Sequence, residues 1–358
     1  MWSRRELLIL PAVAGAHGVS ESTQALKSES ASSTTENAIK QYKLPNTDIH
    51  VSRIGYGCAQ LGRGGDSTDT TAAAHLIQTA CDAGITLFDH ADIYYDGQSE
   101  TVFGKILKQS PGLRHRVVIQ SKCGIVSEGK PPLPPQSNAL DLSYNHIVNA
   151  VDGSLGRLDT DYLDILLLHW PDALVEPDEV ARAFDQLQRS GKVRCFGVSN
   201  HTSGQIGFLQ KYVRQPIVIN QIQMSLAYSD AVADGLDITE GGSAKVNGIM
   251  DYCRSHDVKI QAYSPLKGDF LNPPENAPAN LRDTIDLLND IAIKQNATLP
   301  AVMLAWLLRH PAGIVPIIGP TAPAHLIEDC AADRLVLSRD EWYALYIRAA
   351  KLQARTVA

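Results

Sequence analysis

Six cysteines, at positions 58, 81, 123, 195, 253 and 330, are scattered without a C-x-x-C pair or a cysteine–histidine ligand spacing. That excludes a zinc framework and a disulfide scaffold, and leaves cysteines that sit in apolar runs as small buried hydrophobes. Excess positive charge is also missing. The 32 Lys and Arg against 39 Asp and Glu leave a formal net charge of −7, with both signs interspersed, so nucleic acid is not an expected partner. No H-x-H pair occurs, and Lys122 would repel a cation near His90, Asp92 and His169; a metal-dependent hydrolase is not expected and no metal ligands are assigned. No G-x-G-x-x-G opens a helix after a strand; GYGCAQLGRGG, from Gly55 to Gly65, is glycine-rich at the wrong spacing. The apolar run near the N-terminus is too short to span a bilayer as a helix, so no stable membrane span is expected.

What is present is globular composition, 44% hydrophobic and 20% charged over 358 residues, enough for two ordinary domains or one large α/β barrel. Residues 1–41 read separately. Arg4-Arg5 precedes an apolar run ending in Ala14-Gly15-Ala16, and a Ser/Thr/Glu-rich tract follows. Such a start fits an export signal of the twin-arginine type, which carries folded proteins, followed by a flexible linker. A periplasmic or exported location is therefore expected, with a cytoplasmic one as the alternative.

From Tyr42 the chain alternates short apolar runs with stretches of helical spacing. YKLPNTDIHVS reads as a hairpin. Eight β-type runs follow: 53–57, 86–89, 117–122, 164–170, 193–199, 217–222, 259–264 and 314–319. Helical stretches begin at Thr70 and cover Tyr144–Leu158, Pro177–Arg189, Thr202–Tyr212 and Asn247–Ser255, with two more, Pro323–Ala332 and Arg339–Ala349, after the last run. Near-continuous apolar strands between helices indicate parallel units buried on both faces. Eight of them fit a closed (β/α)8 TIM barrel with an N-terminal β-hairpin, spanning 42–358. Two longer connections, Ser127–Leu142 and Ala227–Ala244, follow strands and so belong to the barrel's C-terminal face, where substrates bind.

The polar residues that end those strands are the chemical signal. Asp89 ends the second run with Tyr94 beyond it, Lys122 the third and His169-Trp170 the fourth. Ser199-Asn200, Asn220-Gln221 and Tyr263-Ser264 end the next three. Burying Lys122 is costly unless it is paired, and Asp89 on the adjacent strand is the partner at hand. A phenol has a reference pKa of ~10. An adjacent ammonium is expected to lower it, so that a tyrosine donates a proton to a developing alkoxide. His169 would donate a second hydrogen bond to the same oxygen. This is equipment for carbonyl reduction with a nicotinamide hydride.

From about residue 43 to 345 the chain resembles the aldo-keto reductases. The matching stretches include LPNTDIHVSRIGYG, TLFDHADIYYDGQSE, IQSKCG, DILLLHWPD, GKVRCFGVSN, INQIQMS, QAYSPL and PIIGPTAPAHLIED. The resemblance implies a catalytic set of Asp89, Tyr94, Lys122 and His169, with Tyr94 as proton donor. It places Ser199, Asn200 and Gln221 on the nicotinamide carboxamide and Tyr263 against the ring. Ser264 to Lys267, Leu266 included, would line the pyrophosphate, and Ile318 to Asp329 the adenosine, through Ile318, Gly319, Thr321, His325 and Asp329. Cys58 lies near the same cofactor by position. Tyr95 stands where relatives usually carry glycine, and with Trp170 it is a candidate for shaping the substrate pocket. NADP(H) is expected on family grounds, with NAD(H) possible because His325 replaces the basic residue common in members that grip a 2′-phosphate. The expected substrate class is aldehydes and small ketones. A cofactor-binding regulatory or structural barrel subunit with little turnover is the alternative.

Overall fold

The computed structural model describes residues 39–63, 70–126, 139–233 and 248–353. The export-signal assignment falls on residues outside this set, as do 127–138 and 234–244 of the two long connections. Of the segment assigned to the linker, Ile39 is buried and Gln41 opens the first strand, so the fold starts slightly before Tyr42.

β1 (Gln41–Lys43) and β2 (His50–Ser52) form the antiparallel hairpin, with Tyr42 opposite Val51. β3 (Gly55–Gly57), β4 (Leu87–Asp89) and β5 (Val118–Cys123) begin the barrel. β6 (Ile125–Val126) and β7 (Ala139–Leu140) make a small outlying ribbon. β8 (Leu163–Leu168), β9 (Val193–Ser199), β10 (Ile217–Gln223), β11 (Lys259–Tyr263) and β12 (Val315–Ile318) complete eight parallel strands, closed by β12 pairing with β3. Each of the eight apolar runs is one barrel strand.

Strand alternation explains what faces where. On β4, Leu87 and Asp89 point into the barrel while Phe88 packs outward with the helices. On β8, Ile165 and Leu167 point in, and Leu166 and Leu168 out. The inward apolar residues of successive strands meet at the base, where the hairpin's Leu44, Ile49 and Val51 plug the barrel. Further along β4, β5, β10 and β11 the inward positions turn polar: Asp89, Gln120, Lys122, Gln221 and Gln261, all buried.

Among the described residues, three helices of ten or more residues lie outside the segments read as helical, Gln98–Gln109, Ala279–Lys294 and Leu299–Leu308, as does the one-turn Asp230–Ala233. Leu299–Leu308 is apolar all round and buried from Ala301 to Leu308, so its sequence carries no amphipathic period to detect. Gly104 lets the first approach helix Tyr144–Leu158 closely; a Cβ there would meet the Arg157 carbonyl oxygen at 2.2 Å. No single described helix is long and apolar enough to cross a membrane.

Candidate active site

Lys122 is 1% exposed, and its ammonium is fully committed. It donates to Asp89 Oδ2 at 2.8 Å, to the His90 carbonyl at 2.7 Å and to the Tyr94 hydroxyl oxygen at 3.0 Å. Three donors thus meet three acceptors. Burial works against the charge, but Asp89 and Tyr94 outweigh it and hold the lysine pKa above its ordinary value.

Asp89 is fixed from its other side. Its Oδ1 accepts from Gln120 Nε2 at 2.5 Å and Gln221 Nε2 at 3.1 Å. Both amides also donate to Gln261 Oε1 at 2.8 Å, and Gln261 returns a bond to Gln120 at 2.9 Å. Four strands are tied together across the barrel by this layer. The positions that form it, Gln120 and Gln261, were not among the residues singled out from sequence. Their signal was present: each is a glutamine inside an apolar run, at the inward register shared with Lys122 and Tyr263.

Tyr94 reaches this layer from the loop after β4. Its ring stands edge-on to His169 with centroids 6.1 Å apart. Contrary to the expected lowering, the tyrosine pKa is raised, because burial dominates and the Asp89 charge offsets much of the Lys122 effect. The resting hydroxyl is therefore protonated. Since its oxygen accepts from Lys122, its own hydrogen is left to donate toward the cleft. His169 is held neutral by burial and by Lys122, its pKa pushed down to about 3.

His90 is fully buried, packs edge-on to Phe103 at 4.6 Å, and neither ring nitrogen has a hydrogen-bond partner among the described residues. Asp92 lies behind the site, where burial and Glu100 push it up to about 7. Glu100 is itself buried between Ser121 (2.6 Å) and Arg157 (2.8 Å).

A cleft of about 940 Å³ opens on Asp89, Tyr94 and His169, near the upper end of the ~300–1,000 Å³ of small-molecule and cofactor sites. Ser199, Asn200, Gln221, Tyr263, Ser264, Leu266, Ile318, Gly319, His325, Asp329 and Trp170 all line it. Asn200, at φ 61°, donates to the His169 carbonyl (3.2 Å) and accepts from the Tyr263 hydroxyl at 3.1 Å. Gln221 spends its amide hydrogens on Asp89 and Gln261, so its Oε1 has no described partner in a residue that lines the cleft. An open acceptor beside the Ser199–Asn200 pair suits a carboxamide, and the cleft runs on from there past Ser264–Lys267 to Asp329, as an extended dinucleotide requires.

Three assigned residues do not line it. Cys58 is fully buried, its thiol turned back toward the Tyr56 carbonyl and pushed up in pKa by burial; its neighbours Gly57, Ala59 and Gln60 form the wall instead. Thr321 is exposed outside the cleft. Tyr95 is 43% exposed at φ 50°, the left-handed region that favours glycine, and reaches Gln60 Oε1 at 3.4 Å.

A parallel barrel with an Asp–Lys–Tyr–His set at the mouth and a long cleft beside it is an oxidoreductase architecture. Residues 53–347 match the aldo/keto reductase family model, and the chain belongs to that family. It is an NAD(P)-dependent oxidoreductase. The chain is 36% identical over 299 residues to the uncharacterized oxidoreductase YcsN of Bacillus subtilis, covering 84% of this chain and 94% of the relative. It is 35% identical to the 6-dehydroglucose reductase of Agrobacterium fabrum, over 83% and 94%. A crystal structure of a thermostable aldo-keto reductase with the inhibitor epalrestat superposes with a TM-score of 0.70 at 27% identity, covering 87% of this chain and all of that one.

Proposed function

We propose that the protein reduces aldehydes or ketones to alcohols, with Tyr94 giving its proton to the carbonyl oxygen. One observation carries this reading: Lys122 holds the Tyr94 oxygen at 3.0 Å while its own three donors are satisfied. The hydroxyl is therefore fixed in place, protonated, and free to donate. A nicotinamide held in the cleft would supply the hydride. Ser199, Asn200 and Gln221 would hold its carboxamide, and Tyr263 its ring.

The chain's residues divide the remaining work. Lys122 stabilises the phenolate left when the proton departs. Asp89 keeps Lys122 charged and in position. Neutral His169 donates one N–H to the same carbonyl oxygen and sets its direction. Trp170, 44% exposed at the cleft mouth, meets the substrate's outer part. The similarity to the 6-dehydroglucose reductase of Agrobacterium fabrum supports the carbonyl class.

The test is turnover of a panel of simple aldehydes by the parent and Tyr94→Phe. Loss of a general acid typically costs ~10²–10⁴-fold, so kcat should fall by that much with KM little changed. A variant as active as the parent would overturn the mechanism, and a parent that turns over none of the panel would favour a cofactor-binding barrel with little turnover.

A further inference from the structure

The Asp92 N–H donates to the Lys122 carbonyl on β5 at 3.1 Å, and past it the described backbone hydrogen bonds from Tyr94, Asp96 and Gln98 run to neighbours in the same turn. Tyr95, Asp96 and Gly97 follow Tyr94 with φ of 50°, 52° and 81°. Three consecutive left-handed residues, two of them not glycine, persist only where the surroundings over-determine them. A side-chain clamp does so here. Arg157 lies so close against the Gly97 backbone that a Cβ there would meet its Cδ at 2.6 Å and its Nε at 2.7 Å. That Nε donates to Glu100 Oε2 at 2.8 Å, and Glu100 Oε1 accepts from Ser121 Oγ at 2.6 Å. Glu100 is fully buried in the first turn of the helix that follows Gly97, and Ser121 immediately precedes Lys122 on β5.

We propose that Glu100 and Arg157 are positioning residues for the reduction: they tie the turn after Tyr94 to the strand of Lys122 through Ser121, and so set the Tyr94–Lys122 contact. The inference rests on Tyr94 being the proton donor. A buried ion pair adds little net stability over apolar packing, because both charges lose water. What it adds is direction, since each carboxylate oxygen takes a short charge-assisted bond from a different element. Helix Tyr144–Leu158, the Tyr94 turn and β5 thereby meet on one carboxylate. Neither Glu100 nor Arg157 lines the cleft, so both act through Tyr94 and not on the substrate. Misplacing a reacting group by ~1 Å is enough to cost ~10²-fold in rate.

Arg157→Met cuts the clamp at the helix, and Ser121→Ala cuts it at the strand by removing a single hydroxyl. With the panel aldehyde that the parent reduces fastest, each should lower kcat by ~10–100-fold. KM and the dissociation constants of NADPH and NADH should stay within about twofold of the parent's. The solvent isotope effect on kcat should rise above the parent's, because transfer of the Tyr94 proton becomes the slow step. Arg157→Lys, which keeps a cationic donor for Glu100, should regain most of the lost rate. Arg157→Met alone strands a buried carboxylate, so the double variant Glu100→Met/Arg157→Met, which buries no unpaired charge, separates positioning from folding. Its thermal midpoint should lie nearer the parent's than that of Arg157→Met, while kcat stays low. Recovery of kcat together with the midpoint overturns the proposal, as does an unchanged kcat in Ser121→Ala and Arg157→Met; both leave the reductase reading intact. If Tyr94→Phe keeps the parent's activity, or the parent reduces none of the panel, that reading falls and takes the proposal with it.

Discussion

Replacing Asp89 by asparagine removes the counter-charge of a buried ammonium and almost no volume. At 2.8 Å and an effective dielectric of ~20, the lost Coulomb attraction is about 6 kcal/mol. Breaking one side of a buried pair costs ~3–5 kcal/mol in practice, because the remaining charge is stranded. Gln120 and Gln221 still fill the space around position 89, so the cost is electrostatic, which makes it dependent on pH. In the variant Lys122 is a buried base without a partner, and its folded pKa drops below the unfolded value of ~10.4. A group lowered in this sense supports folding above the unfolded pKa and loses that support as pH falls toward the folded one. Thermal unfolding of parent and variant from pH 10 to pH 6 should therefore show a gap that widens as pH falls. Near pH 6 it should reach roughly 4–8 °C for a unit of this size. Aldehyde turnover should fall in the variant as well, most at the alkaline end, since an uncharged Lys122 no longer stabilises the Tyr94 phenolate. A gap that stays constant across this range would refute the reasoning, because Lys122 would then not depend on Asp89 for its charge.

Three further outcomes are expected. Gly104→Ala drives a Cβ into the Arg157 carbonyl, 2.2 Å away, and should destabilise by about 3 kcal/mol, the upper end of overpacking; an unchanged denaturation midpoint would disprove the tight helix crossing. Asp92 carries a pKa pushed up to about 7, so its favourable contribution is full below ~4 and lost as pH rises through 7. Asp92→Asn should consequently raise the melting temperature more at pH 8 than at pH 5, with an upper bound of about 4 kcal/mol, and an equal gain at both would count against a raised carboxyl. Tyr95→Gly relieves a left-handed backbone worth ~1–2 kcal/mol against ~0.5–1 kcal/mol of glycine entropy. Stability should stay within about 1 kcal/mol of the parent while KM for aldehydes shifts through the freed Gln60; a loss of several kcal/mol would show that Tyr95 is held by packing instead.

The barrel was legible in the sequence because strand and helix periods are local. Eight apolar runs announced eight strands, six of them ending in polar residues, and Asp89, Tyr94, Lys122 and His169 stood out because charge and phenol at such tips are costly without a purpose. The helix Leu299–Leu308 escaped notice because a segment buried on every face has no period to read. Cys58 shows the limit of reading by position: it is adjacent to the cleft wall in sequence, but its buried thiol turns back to the Tyr56 carbonyl.

What the sequence alone determined, then, was which residue types end each strand and hence the class of chemistry. Only closure of the barrel decided that Gln120 and Gln261, 141 residues apart, hydrogen-bond to one another and brace Asp89 from below. Closure likewise set the sign of the Tyr94 shift. Local sequence shows that a lysine is near, but the net direction depends on how much water is excluded and on the Asp89 charge that cancels the ammonium. Both are sums over groups that are distant along the chain and adjacent only in the folded barrel.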